Sequence, residues 1–203
     1  MEKRLLLVTG KPGMGKTTVL LKTIEDLKAK SYSVGGMVSR EVRSGGMRVG
    51  FEVLDFNGGR KSLLAHVHQK QGPIVGKYRV NLDGLNDTGV HAIADAIERA
   101  DVVVIDEIGP MELYSKEFIR VVQKAMESKK LVISTIHLMG RNPLIQQMKS
   151  REDAELYTVT HENRDKISKK IVKKAVEYLQ ERYRHGSLGG FNMRRSLYAG
   201  RRC

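Results

Sequence analysis

The sequence predicts an α/β fold in which a mainly parallel sheet carries helices on both faces. Three observations predict it. The apolar runs Leu5-Leu6-Leu7-Val8, Val102-Val103-Val104-Ile105 and Leu131-Val132-Ile133 are continuous rather than alternating, as in strands buried on both sides. Segments with apolar residues at helical spacing separate them. A glycine-rich loop, Gly10 to Thr17, joins the first run directly to the first helical segment.

The elements follow in order. Arg4 to Thr9 is the first strand, and a helix is expected over Lys16 to Lys30. Val34 to Val38 is a second strand whose glycines imply close approach of another backbone. Turn signals at Arg43-Ser44-Gly45-Gly46 and Asn57-Gly58-Gly59 bracket Val49, Phe51, Val53 and Leu54, and Ser62-Leu63-Leu64 follows. This stretch is expected to be an inserted antiparallel hairpin or meander, because antiparallel strands need only short turns. Tyr78 to Leu82 is a short strand. Asp87 or Thr88 is expected to cap a helix with Val90, Ile93, Ala94 and Ile97 on one face. Ser115 caps the next, with Ile119, Val122 and Met126 inward. A short amphipathic segment surrounds Leu144, Ile145 and Met148, and Leu156 to Val159 is the last strand. From Asn163 a long helix turns Ile167, Ile171, Ala175 and Leu179 inward and a row of lysines outward.

At 203 residues the chain suits one domain with a full core, expected over residues 1–184 and followed by a basic, disordered tail over 185–203 that also fits an appended extension. The composition, 40% hydrophobic and 29% charged, is that of a soluble globular protein. No apolar run approaches the roughly 20 residues of a membrane helix, and the first strand starts too early to leave room for a signal peptide. The single cysteine, Cys203, rules out a disulfide framework and a cysteine metal site, so a reducing, cytoplasmic setting is expected. The net charge of +13 owes five arginines to the segment from Arg184 onward, which has no acids; without them 31 basic residues face 23 acidic ones, a balance of +8. That excess suits nucleic acid, an anionic surface or a thermophile's lysine enrichment, and composition does not choose among them.

The chemistry starts at Gly10-Lys11-Pro12-Gly13-Met14-Gly15-Lys16-Thr17, which fits G-x-x-x-x-G-K-[ST] at every fixed position and sits between a strand and a helix, the context that makes the motif a phosphate site. Gly10, Gly13 and Gly15 let the backbone turn tightly and approach phosphates, so that amides and the helix N-terminus form an anion nest. Lys11, Pro12 and Met14 contribute through the backbone. Lys16 brings an ammonium to the β- and γ-phosphates, Thr17 a hydroxyl to Mg²⁺, and Thr18 reaches toward the α-phosphate.

Asp106-Glu107 ends the third core strand, where a parallel sheet opens its ligand crevice. Asp106 there holds the metal, and Glu107 orients and deprotonates an attacking water. An acidic pair of this type favours hydrolysis and places a strand between the loop strand and the Asp106 strand, for a core order of 5-1-4-3-2. Gly109 permits a tight turn beside the γ-phosphate. Glu112 is either a second acid of the site or the first-turn acid of the next helix. Asn163 is a helix cap or, with Arg164, a contact to the nucleoside. Thr135 is a γ-phosphate sensor or a plain strand residue. Arg79, Arg141 and Arg151 are candidates for stabilising transition-state charge, against a plain surface role for each. The six histidines show no metal-ligand spacing.

Together the loop, the stretch Asp106 to Leu113 and Thr160-His161-Glu162-Asn163-Arg164 resemble the THEP1 family of nucleoside triphosphatases; the arginine-bearing hairpin near Gly50-Phe51 and Tyr78-Arg79-Val80 resemble it too. The resemblance runs from Lys3 to about Tyr183. It implies a three-layer, RecA-like P-loop NTPase fold, with Mg²⁺-dependent cleavage of the β–γ bond of ATP, GTP, CTP or UTP. The expected partner is therefore a nucleoside triphosphate, with no membrane, nucleic acid less favoured, and a monomer as the working unit. Two other functions stay open: a small kinase with His137 to Arg151 as its lid, and a nucleic-acid-dependent ATPase. The latter is weakened by only 5% aromatic residues for stacking.

Overall fold

The computed structural model describes residues 2–138 and 142–186. Most of the expected tail, and Arg141, lie outside them. Among the described residues nine strands form one sheet in the order β5-β6-β4-β3-β2-β7-β8-β1-β9. The core strands are β1 (Leu5–Thr9), the first half of β2 (Val34–Ser44), β7 (Val102–Ile108), β8 (Leu131–Ile136) and β9 (Ala154–Thr158). All their ladders are parallel. Numbered among themselves they run 5-1-4-3-2, and β8 separates the loop strand from the Asp106 strand, as the motif pair requires.

Strand alternation builds the three layers. Along β1, Leu5 and Leu7 enter one cluster while Leu6 and Val8 enter the other. The second cluster is closed by α1 (Lys16–Ala29), through Leu20, Ile24 and Leu27, and by α6 (Arg164–Gly186), through Ile167, Ile171, Ala175 and Leu179. The first is closed by α3 (His91–Arg99), α4 (Lys116–Glu127) and α5 (Pro143–Ser150). Helix α6 continues two residues past the expected boundary at residue 184.

The inserted hairpin is larger than expected. Strand β2 runs on past the core as far as Ser44 and turns at Gly45-Gly46 into β3 (Met47–Asp55). Then β4 (Lys61–His66), β6 (Tyr78–Val80) and β5 (Ile74–Val75) extend the same sheet, and every one of these ladders is antiparallel. Half of the eight ladders are thus antiparallel, and the parallel part is the core alone. At Gly36 a side chain would meet the Val104 carbonyl oxygen at 2.0 Å, the backbone approach its residue type implied.

The helix expected to begin at Asp87 or Thr88 begins earlier. Asn81 accepts a hydrogen bond from the Gly84 amide and starts α2 (Leu82–Gly84), which passes through a π-helical turn over Leu85–Val90 into α3. Thr88 is buried within that turn and bonded to Ser62. Ser115 caps α4 as expected, accepting from the Phe118 amide at 3.0 Å. The buried stripe of α4 is Phe118, Val121, Val122, Ala125 and Met126, with Ile119 only partly buried.

Candidate active site

The phosphate loop connects the C-terminal end of β1 to the N-terminus of α1. Gly13 and Gly15 have φ of 79° and 90°, values a side chain resists, and at Gly10 a Cβ would meet the Val159 carbonyl oxygen at 2.7 Å. These three glycines are what let the loop close. Lys16 is half-buried, its Nζ 3.4 Å from the Gly10 carbonyl oxygen that it bonds. The loop opens onto a cavity of ≈ 920 Å³, which Gly10, Lys11, Pro12, Gly13, Gly15, Lys16 and Thr17 line on one side. Met14 instead packs its side chain against the core under α1 and α6, and Thr18 is exposed outside the cavity lining.

Asp106 and Glu107 end up in different environments although they are adjacent. Asp106 is 1% exposed, and its Oδ1 accepts the Thr135 hydroxyl at 2.5 Å. Its Oδ2 is buried with no hydrogen-bond partner among the described residues. Burial pushes this carboxyl up to about 6, against the pull of the Thr135 and Thr17 hydroxyls, with Glu107 adding to the rise and Lys16 opposing it. A buried carboxylate with one oxygen unsatisfied, next to a threonine hydroxyl at the end of a phosphate loop, suits a hard divalent cation with oxygen ligands. Glu107 is half-buried and faces the cavity.

The chain after β7 folds back on itself. Glu112 lies in a short 3₁₀ turn (Glu112–Tyr114) ahead of the Ser115 cap, so it is not the first-turn acid of α4; that residue is Glu117. Its carboxyl is buried and accepts the Gly109 amide at 3.1 Å. Burial, with the charges of Glu107 and Asp106 nearby, pushes it up to about 8. The Gly109 amide is therefore committed to Glu112, and Gly109 itself is buried behind Glu107.

The other sequence candidates divide. The Thr135 hydroxyl is given to Asp106, which makes Thr135 an orienter of that carboxylate. Arg164 stands over the loop, its Cδ 3.6 Å from where a Gly15 Cβ would be. Asn163 accepts from the Thr160 amide at 2.8 Å and donates to the Thr158 carbonyl at 3.0 Å, so its carboxamide pins its own loop rather than capping α6. Arg151 pairs with Asp153 at the N-terminal end of β9, the far end of the sheet from the loop. Arg79 lies on β6, with β4 and β3 between it and β2, and bonds the Gly72 carbonyl. Neither arginine lines the cavity. Of the stretch considered as a lid, helix α5 is docked into the core through Leu144, Ile145 and Met148.

Sequence reasoning missed the opposite wall. Arg40, Glu41, Arg48 and Phe51 from β2 and β3 line the same cavity, as does His137. Glu41 takes Arg43 and Arg48 as partners at 2.6 and 2.7 Å, and these bonds hold its carboxyl below the usual range. Arg48 also donates to the Tyr78 hydroxyl at 3.0 Å and lies over the Phe51 ring. The arginine-bearing hairpin was the available signal, but only the length of β2 brings it back to the loop.

A family model described as NTPase matches residues 5–172. A nucleoside-triphosphatase THEP1 from Thermofilum pendens is 48% identical over 174 residues, covering 85% of this chain and 96% of that protein. The chain belongs to the THEP1 nucleoside-triphosphatase family. Another THEP1, from Methanopyrus kandleri, is 40% identical over 87% of this chain and 98% of its own length. In three dimensions the crystal structure of THEP1 from Aquifex aeolicus superposes with a TM-score of 0.75 at 31% identity, covering 83% of this chain and 97% of that one. The solution structure of a human cancer-related nucleoside triphosphatase gives 0.72 at 33% identity, over 84% and 96%. The antiparallel extension therefore falls within a match that spans nearly the whole length of these THEP1 relatives. Among the described residues no helix is long and apolar enough to cross a membrane.

Proposed function

We propose that the protein hydrolyses nucleoside triphosphates to the diphosphate and inorganic phosphate, taking ATP, GTP, CTP and UTP with Mg²⁺. The observation that carries this reading is that the phosphate loop and Glu107 line one cavity, while the adjoining Asp106 keeps one buried oxygen without a partner among the described residues. Loop amides and the Lys16 ammonium receive the β- and γ-phosphates and offset their charge. Thr17 and Asp106 would hold Mg²⁺, which when bound neutralises charge on the β- and γ-oxygens. Glu107 accepts the proton of a water whose oxygen attacks the γ-phosphorus as the bond to the β–γ bridging oxygen breaks. Arg164 touches the nucleoside from above Gly15, while Asn163 holds the loop that carries it. No base-reading motif appears in the sequence, and this favours loose base selection. The working unit is a monomer in a reducing, cytoplasmic setting.

The test is phosphate release from the four triphosphates with and without Mg²⁺, on the parent and on Glu107→Gln. Loss of the base is expected to lower turnover about 10³-fold with nucleotide binding kept. Full turnover in that variant removes Glu107 from its role. Phosphate loss that depends strictly on an organic acceptor, or on RNA or DNA, assigns a kinase or a nucleic-acid-dependent ATPase instead.

A further inference from the structure

One buried acid has no part in that scheme. Glu112 is 5% exposed, and its Oε2 accepts the amide of Gly109, two residues beyond Glu107. A Cβ placed on Gly109 would stand 3.2 Å from Glu112 Oε2, 3.5 Å from Glu107 Cγ and 3.6 Å from Glu107 Cδ. The two acids thus flank one α-carbon, and the first and last of those spans bound the distance from Glu112 Oε2 to Glu107 Cδ at 6.8 Å. The segment between them is closed by its own bonds, since the Leu113 amide donates to the Gly109 carbonyl at 3.1 Å. Gly109, which has no side chain, leaves the space that both carboxyl groups share.

Building on the reading of Glu107 as the base, we propose that Glu112 is its positioning residue: by anchoring the Gly109 amide it fixes the turn that aims Glu107 into the cavity. A buried acceptor is suited to this. Deleting it leaves an amide unsatisfied beside the base and frees the turn to shift. A displacement of about 1 Å at a reacting group is enough to cost roughly 10²-fold in rate. The raised Glu112 carboxyl, largely neutral near pH 7, also keeps a second charge away from Glu107.

The experiment is steady-state hydrolysis by Glu112→Ala and Glu112→Gln, each alone and combined with Glu107→Gln, with a melting scan of every variant. Glu112→Ala should lower kcat about 10²-fold with KM unchanged. Glu112→Gln keeps a side-chain carbonyl for Gly109 and should recover most of that loss. In the Glu107→Gln background, Glu112→Ala should cost nothing further. If the alanine variant melts below the assay temperature, Glu112→Met fills the same volume without an acceptor and takes its place. A parent-like kcat in the alanine or methionine variant, or a loss that adds in full to that of Glu107→Gln, overturns the proposal. If Glu107→Gln itself keeps full turnover, the reading of Glu107 fails, and Glu112 has nothing to position.

Discussion

The parallel core and the antiparallel extension belong to one sheet and handle charge in opposite ways. In β1, β7 and β8 nearly every residue is buried; Thr135 gives its hydroxyl to Asp106 and Thr9 its own to the Ile136 carbonyl, while Ser134 Oγ, like Asp106 Oδ2, is buried with no partner among the described residues. In the outer half of β2 and in β3, exposed and half-buried residues predominate, and the charges pair along the surface, Arg40 with Glu52 at 2.7 Å and Glu41 with two arginines. Burial gives the core groups shifted acidities and fixed directions. Exposed pairs of the kind on β2 and β3 add little to stability. On the proposed reading the reacting groups belong to the core, and the extension supplies the cavity's opposite wall.

The largest expected effect lies in the core. Lys16→Ala should lower turnover by about 10²–10³-fold and weaken triphosphate binding, because it removes the half-buried ammonium that is held against the Gly10 carbonyl inside the loop. Phosphate release and a nucleotide titration read both; turnover within tenfold of the parent would break the division. A smaller effect is expected in the extension. Arg48→Ala removes the partner of Glu41 and Tyr78 from the wall and should raise KM about threefold with kcat nearly kept, as for a half-exposed pair. A kcat loss as large as that of Lys16→Ala would move the wall into the reacting centre.

A third expected effect is a slope of stability with pH. The folded protein holds the Glu112 proton up to about 8, whereas an ordinary glutamic side chain releases it near 4.5. The folded state therefore binds more protons across that window, and the stability this group contributes is complete below about 4.5 and lost as pH rises to about 8. The melting temperature should fall between about pH 5 and about pH 8.5, and fall less in Glu112→Gln. Parallel slopes in the two proteins would show that the group does not titrate as its burial requires.

The core was legible because its signals are local. An apolar run, a glycine loop and a strand-end Asp-Glu pair each declare themselves within a few residues, and together they imply the strand order. The extension was legible only in part. The apolar run of β2 stops at Val38, although the strand continues for six more residues that are exposed or half-buried. The start of the helix before β7 was misplaced for a related reason. Asn81 caps it through a side chain, but the next turns bury Leu85, Thr88 and Gly89 in a π-helical stretch that breaks the usual spacing. At the site, Lys16, Asp106 and Glu107 could be named from the motifs, while Arg40 and Arg48 could not. Their place in the cavity depends on how far β2 runs, and no window of sequence contains that length. Glu112 was noticed as an acid, but its bond to Gly109 exists only because the chain doubles back after β7.

The length of β2 has a mechanical result. From Val34 to Met37 it is laddered to β7, the strand that carries Asp106 and Glu107, and from Met37 to Ser44 it is laddered to β3. One strand, whose pairing shifts register only between Val42 and Arg43, is thus both a rail of the core and the frame of the cavity's far wall. A wall built this way cannot swing like a flap on a flexible joint; displacing it means shearing hydrogen bonds beside the acidic pair. Any gating of the cavity has to come from its loops, while the distance between the two acids and the arginine wall is held like the gauge of a track.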